Sequence, residues 1–210
     1  MFVDHRDYRA FIDLAAQEMP SAGVAVWAYA LMRNHVHFIA VPDDVDSIPD
    51  AAARCLAAYE EAFRRRHGDD GRLWEDRLYV SVLDRQEFLW RAVCYVERNP
   101  VRAGIVLRGE DYPWSSAAYH CGERAHDPLI APDSPLPGAI HDWSGWLRDF
   151  RWVRRRETPA SGSFSTKPNL RIEACGPVRG APGGDGRCGN QGSPDGDVDE
   201  RFRSRYTEEL

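Results

Sequence analysis

The chain has 210 residues, a length that fits one catalytic domain with an appendage. Its hydrophobic fraction of 43% and aromatic fraction of 11% are ordinary for a globular protein and exclude a chain that is disordered throughout. The 33 acidic residues outnumber the 27 lysines and arginines, and the net charge of -6 excludes a uniformly basic nucleic-acid binder. Any contact with a nucleic acid must therefore come from local clusters of positive charge.

Two such clusters are present. One comprises Arg64, Arg65, Arg66 and His67, and the other lies within residues 151–156. For each cluster, the solvated end of a helix, where the helix dipole favours cations, is at least as good an explanation as contact with a nucleic acid. Both alternatives stay open from the sequence.

The chain shows no segment typical of membrane insertion or export. The longest apolar run, residues 22–32, is stopped by Arg33 and falls short of the roughly 20 residues that span a bilayer. Charged residues interrupt any signal-peptide pattern at the start. The five cysteines form no C-x-x-C pair, which is typical of a reducing compartment. We expect a cytoplasmic protein without membrane contact.

The first half of the chain predicts a helix followed by a hairpin. Apolar residues at helical spacing predict a helix over residues 4–18, with Asp4 as its cap and Pro20 beyond its end. Residues 24–32 and 35–41 are rich in β-branched and aromatic side chains, and Arg33-Asn34 between them is a plausible two-residue turn.

Three further elements follow. An apolar stripe that ends at Gly68 predicts a second helix, residues 78–83 predict a short strand, and a third helix runs from about Asp84 to about Asn99, where Pro100 interferes. With one more strand in front, this order is that of a ferredoxin-like α+β sandwich of antiparallel sheet and helices. The predicted fold class is therefore α+β.

The composition changes near residue 157. Nine of the 17 glycines lie beyond it, and no hydrophobic period continues. We therefore predict a domain over residues 1–157 and a Gly-rich, disordered tail over residues 158–210.

Two histidines are candidate metal ligands. His35 and His37 alternate on the second arm of the hairpin, so both imidazoles face the same side and can converge on one divalent ion. Taken alone, such a pair is more often found on a solvent-facing strand edge. The choice depends on what else lies nearby.

Tyr95 and Asn99 are four residues apart on the third predicted helix and so share a face. A phenol can act as a nucleophile and an amide oxygen can bind a metal. On periodicity alone, the favoured interpretation of Tyr95 is a core aromatic residue.

Four blocks of sequence, in order, carry a more specific signal: residues 30–38 (ALMRNHVHF), 71–77 (GRLWEDR), 95–104 (YVERNPVRAG) and 111–116 (DYPWSS). They resemble the motifs of the REP-associated tyrosine transposases, a family of HUH-type enzymes that nick and rejoin single-stranded DNA. The similarity is specific over residues 27–116 and becomes looser towards residue 156.

The resemblance implies a function for each matching residue. Tyr95 would be the nucleophile that forms a 5′-phosphotyrosine link, and His35, His37 and Asn99 would bind Mg²⁺ or Mn²⁺. The partner would be single-stranded DNA that forms hairpins; no oligomeric state is implied.

Other residues of the blocks are candidates for DNA contact. Trp74, Arg77, Arg102 and Trp114 could touch phosphates or stack on bases, as in other single-strand binders. Core packing and structural ion pairs explain them equally well.

The chain departs from the family pattern at two points. Arg33 replaces a usual proline before the histidines, and the family's first strand has no counterpart ahead of Asp4. Without that central strand, backbone groups inside the sheet would lack partners. We expect either a start further upstream or a decaying gene copy. The alternative function is a catalytically inactive or domesticated protein that binds DNA hairpins; a metallohydrolase has less support, because no carboxylate lies at a suitable spacing.

Overall fold

A computed structural model describes residues 1–44, 46–68, 73–74, 78–83 and 85–150, and the backbone of residues 169–175. Within these residues the fold is α+β, as predicted. No helix of the described part is long and apolar enough to cross a membrane. The elements, in chain order, are α1 (His5–Ser21), β1 (Val24–Met32), β2 (His35–Pro42), α2 (Ser47–His67), β3 (Leu78–Leu83), α3 (Gln86–Glu97), α4 (Asn99–Arg102), a 3₁₀ turn (Gly109–Asp111), α5 (Ala117–His120), α6 (Trp143–Asp149) and β4 (Asn169–Cys175).

The hairpin predicted from the sequence is confirmed. β1 and β2 pair in antiparallel fashion, with Arg33 and Asn34 between them and Ala30 opposite His37. The register shifts once, between Val26 and Ala28. The hairpin therefore presents the two histidines of β2 at fixed positions beside β1.

The sheet has a hydrophobic core on each face. Val36 and Phe38 of β2 pack with α1 and α2 in the first core, whereas Ile39 packs with α3 and α6 in the second. Each fully buried large apolar side chain contributes roughly 1.5–3 kcal/mol. Because side chains alternate along a strand, His35 and His37 lie on the Ile39 side, which is the α3 side.

Helix α1 begins at the predicted cap. The Asp4 carboxylate accepts hydrogen bonds from the N–H groups of Arg6 and Asp7, and the Asp7 carboxylate accepts one from the Asp4 N–H, which completes a capping box. The predicted end is wrong, since α1 includes Pro20. A proline in the last turn removes one N–H, but the N–H of Ala22 still reaches the carbonyl of Glu18, and the helix closes beyond the proline.

Helix α2 ends at Gly68, as predicted, with φ of 68° and a hydrogen bond to the carbonyl of Arg64. Helix α3 is shorter than predicted. It ends at Glu97, and Asn99 begins the separate helix α4. Pro100 has no N–H to continue the hydrogen-bond ladder, which explains the interruption.

The sheet order is β1-β2-β4-β3, and β4 pairs in parallel with both neighbours. The antiparallel part is thus the hairpin, and a ferredoxin-like topology is not shown. The sequence predicts an unfilled place in the sheet and a disordered tail. Within that tail, residues 169–175 form β4 and supply backbone partners to β2 and β3; the other tail residues lie outside the described part.

The second edge of β1 is also covered. The N–H of Leu31 donates to the carbonyl of Trp114 at 2.9 Å, and the N–H of Ser116 donates to the carbonyl of Tyr29 at 3.0 Å. The Tyr112 hydroxyl adds a bond to the Leu31 carbonyl at 2.7 Å. The block at residues 111–116 therefore has an architectural role, because it forms hydrogen bonds with backbone groups at this edge of β1.

Candidate active site

The two histidines of β2 lie side by side. Their ring centroids are 4.8 Å apart and their planes are nearly perpendicular, at 89°. His37 is only 2% exposed, whereas His35, at the start of the strand, is half-buried. The alternation of a β-strand thus brings both imidazoles to one face, as the sequence predicted.

Tyr95 faces the same pair from α3. Its ring meets that of His37 edge to face, with centroids 5.6 Å apart and an interplanar angle of 88°. The phenol is half-buried and borders the core on the α3 side of the sheet. Strand β2 and helix α3, which are distant in sequence, therefore place two imidazoles and a phenol together.

The histidine pair is compatible with one bound metal ion. Because imidazole nitrogens bind metals at roughly 2.1 Å, two imidazoles on one ion have ring centroids roughly 4.5–5 Å apart. The observed 4.8 Å falls in this range. Among the described residues, no group of three or more His, Cys, Asp or Glu side chains could hold a metal, so these residue types supply no third ligand within that part of the chain.

Asn99 is the candidate for that third ligand. It lies half-buried at the start of α4, and its side-chain nitrogen is buried without a hydrogen-bond partner among the described residues. A buried N–H donor without an acceptor is costly, but a metal would bind the amide oxygen, so this nitrogen is no evidence for a ligand role. No hydrogen bond joins Asn99 to either histidine in the described part of the chain, so its role as a ligand remains a prediction.

Asn34 was not identified from the sequence as a site residue. Its side-chain oxygen lies 2.9 Å from Nδ1 of His35. With Nδ1 as the donor, Nε2 of His35 keeps the lone pair that a metal requires. A polar residue directly before the first histidine was the only available signal, since such contacts commonly orient metal-binding imidazoles.

Arg102 lies over the candidate nucleophile. Its guanidinium carbon is 4.7 Å from the centroid of the Tyr95 ring, and the residue is exposed at the end of α4. The structure thus brings together four of the predicted residues: His35, His37, Tyr95 and Arg102.

The arginines of the first basic cluster lie in ion pairs. Arg64 pairs with Glu60 at 2.7 Å and Arg65 with Glu61 at 3.0 Å, each one helical turn away. Arg66 hydrogen-bonds to Asp4 and Asp7 of α1. The hydrogen bond from Arg66 is the main reason why the pKa of Asp4 lies well below its usual range. This arrangement favours a structural role for all three arginines; the second basic cluster lies outside the described residues.

The two candidate tryptophans pack against aromatic residues. Trp74 is 5% exposed and contacts Phe11 and Tyr59 in the core. Trp114 stacks on Tyr8, with centroids 4.8 Å apart and planes 11° from parallel. Both contacts favour the packing alternative over base stacking. Arg77 lies outside the described residues.

A buried polar cluster lies behind the site. Glu97, fully buried at the end of α3, accepts hydrogen bonds from the Ser116 hydroxyl at 2.6 Å and from Nε1 of Trp143 at 2.7 Å, and contacts Nδ1 of His120 at 2.5 Å. It thereby ties α3 to α5 and α6. This cluster was not predicted from the sequence, in which a glutamate next to the apolar residues of α3 is its only sign.

Comparison with known proteins gives no match: no protein-family model fits the chain, and no curated protein or solved structure is significantly similar to it. The functional assignment therefore depends on the chain's own residues and on their arrangement.

Proposed function

We propose that this protein is a metal-dependent transposase-like enzyme that nicks and rejoins single-stranded DNA, with Tyr95 as its nucleophile. The observation that carries the proposal is the convergence of His35, His37 and Tyr95, with His37 in ring contact with both of the other residues. The same three residues occupy the motif positions through which the chain resembles HUH-type tyrosine transposases. Packing alone does not require two imidazoles and a phenol at one place.

The reaction is a transesterification that needs no other reactant. The Tyr95 oxygen attacks the phosphorus of a phosphodiester, the bond from phosphorus to the 3′ oxygen breaks, and a 5′-phosphotyrosine link forms. The phenol proton is lost to solvent, and the leaving 3′ oxygen takes up a proton. A second 3′ hydroxyl can reverse the step and join two strands, because the adduct keeps the bond energy of the diester.

The metal in this proposal is Mg²⁺ or Mn²⁺. His35 and His37 would hold it, with the Asn99 amide oxygen as a third ligand. When bound, such an ion polarises the scissile phosphate. Two imidazoles and one amide suit Mn²⁺ better than Mg²⁺, which prefers oxygen ligands. In this proposal Tyr95 attacks from α3, and the half-buried setting of its ring restricts the directions from which DNA can approach.

The proposal includes a finer fold assignment, a ferredoxin-like sandwich without the family's first strand. The order of helices and strands from α1 to α3 supports it, as does the position of β4 between β2 and β3. In this view β4 takes the place of the absent strand, although it pairs in parallel with its neighbours.

The test is an adduct assay with hairpin-forming single strands taken from the DNA that flanks the gene. The chain is incubated with Mn²⁺ and labelled DNA, and the products are separated on a denaturing gel. We expect a slow-moving protein–DNA adduct that is lost with a chelator and in Tyr95→Phe. A protein that binds the hairpin without metal and forms no adduct would instead be a binding remnant. The matched control is Tyr79→Phe, which removes another partly exposed phenol.

A further inference from the structure

Arg102 stands out among the described arginines by its position. Its guanidinium lies over the face of Tyr95, at 4.7 Å, and the residue is exposed. The Arg102 N–H donates to the carbonyl of Arg98 at 2.9 Å, and Gly104, with φ of 69°, follows the end of the helix. Arg102 lies about two helical turns beyond Tyr95, and because side chains tilt towards the helix N-terminus, its guanidinium reaches back to the ring of the candidate nucleophile.

The charge of Arg102 is not compensated within the described part of the chain. No carboxylate of the described residues lies within 4.0 Å of its guanidinium, whereas Arg54, Arg64, Arg65, Arg66, Arg108 and Arg124 each have an acidic partner. In a chain with an excess of acidic groups, an exposed arginine without an acid is available for an external anion. A guanidinium binds phosphate oxygens through two parallel N–H groups.

We propose that Arg102 binds the phosphate that Tyr95 attacks. The inference rests on the proposed function and adds a residue with a defined task to it: Arg102 holds the scissile phosphate next to the phenol, on the side of Tyr95 away from the core. Its charge also offsets the negative charge that builds up on the phosphate oxygens during the attack. The cation over the ring is thus a substrate-binding group, not only a packing contact.

The binding test uses proteins that cannot cleave. In a Tyr95→Phe background, which keeps the aromatic ring, the affinity for single-stranded DNA is measured by fluorescence anisotropy as a function of salt. Addition of Arg102→Gln should reduce the slope of log affinity against log salt by about 0.7, the value for one phosphate contact. The control Arg54→Gln, an arginine already paired with Asp50 at 2.7 Å, should leave the slope unchanged.

The second readout is the rate of adduct formation in proteins that retain Tyr95. Arg102→Gln should lower it about 100-fold, and Arg102→Lys should restore part of the loss because the charge returns. An unchanged slope together with an unchanged rate would overturn the role of Arg102 while leaving the proposed function intact. Absence of an adduct in the unmodified protein would instead contradict the proposed function. In that case, a smaller salt slope in Arg102→Gln would still assign Arg102 to phosphate binding.

Discussion

The Tyr95 ring on α3 meets the His37 ring on β2 edge to face, at a centroid distance of 5.6 Å. His37 is almost fully buried, so the contact fixes the helix relative to the strand. The phenol and the two imidazoles therefore lie together at one place between the strand and the helix.

The histidine pair should be the main determinant of metal affinity. We expect His35→Gln and His37→Gln each to weaken Mn²⁺ binding by at least about tenfold, because one of two imidazole ligands is lost. Isothermal titration calorimetry on the purified protein measures this directly. His141→Gln, which changes a histidine outside the site, should leave the affinity unchanged. Equal Mn²⁺ affinity in all four proteins would show that the pair does not bind metal.

Asn34 should affect the Mn²⁺ affinity of the same site without binding the metal itself. Its contact with Nδ1 of His35, at 2.9 Å, favours the tautomer in which Nε2 carries the lone pair that a metal requires. Asn34→Ala should therefore weaken Mn²⁺ binding by about 10- to 100-fold while the thermal unfolding temperature stays within a few degrees. Asn34→Asp, which keeps an acceptor at this position, should retain most of the affinity. If Asn34→Ala binds Mn²⁺ normally, the contact has no orienting role.

Asp7 should make the stability of the fold sensitive to acid. Burial raises the pKa of its carboxyl group. Hydrogen bonds from His67, Arg66 and the backbone N–H groups near the start of the chain outweigh burial, so the pKa lies below its usual value. Its contribution is therefore complete above the unfolded pKa of about 3.9 and is lost as the pH falls through the lower folded pKa. Asp7→Asn should reduce the free energy of unfolding by about 1.5–3 kcal/mol at pH 7.

Urea denaturation at several pH values tests this. The difference between Asp7→Asn and the unmodified protein should shrink below about pH 4. The exposed Asp13 on the same helix is the control, and Asp13→Asn should change the stability by less than about 0.5 kcal/mol. A difference that stays constant with pH would contradict the assigned role of the Asp7 charge.

Glu97 should be essential for the packing of α3 against α5 and α6. Removal of a buried charged partner commonly costs about 3–5 kcal/mol, so Glu97→Ala should lower the free energy of unfolding by that amount. Glu123, whose pair with Arg108 is half exposed, is the matched control, and Glu123→Ala should cost less than about 1 kcal/mol. Chemical denaturation measures both, and similar losses in the two variants would rule out a special role for Glu97.

Strand β4 should contribute to stability, because it pairs with a neighbouring strand on each side. Ile172 lies opposite Phe38 of β2 and Val80 of β3. Ile172→Pro should therefore reduce the free energy of unfolding by about 3 kcal/mol or more, through loss of a ladder hydrogen bond. Ile172→Ala, which keeps the N–H, should cost less. If both substitutions have the same small effect, β4 does not complete the sheet in solution.

Local features of this fold were predictable from the sequence, and long-range ones were not. The cap at Asp4, the turn at Arg33-Asn34 and the stop at Gly68 depend on neighbouring residues and agree with the structure. The pairing of Arg66 with Asp4 joins opposite ends of two helices, and no spacing rule reveals it.

The same distinction applies to the sheet and the site. Strand β4 was not predicted although its apolar and charged residues alternate, because it lies within a Gly-rich tail whose composition is typical of disorder. For the site, strand alternation predicted the shared face of His35 and His37. The contact of Tyr95 with Arg102 was not predicted, because the third helix was expected to end at about Asn99, before Arg102.

The most direct test of the central claim is to identify the residue that becomes attached to DNA. After incubation with Mn²⁺ and a hairpin-forming single strand, the protein is digested and its peptides are analysed by mass spectrometry. The proposed function predicts that the peptide containing Tyr95 carries a nucleotide joined through a 5′-phosphotyrosine bond. A nucleotide on any other residue, or cleaved DNA with no modified peptide, would contradict Tyr95 as the nucleophile.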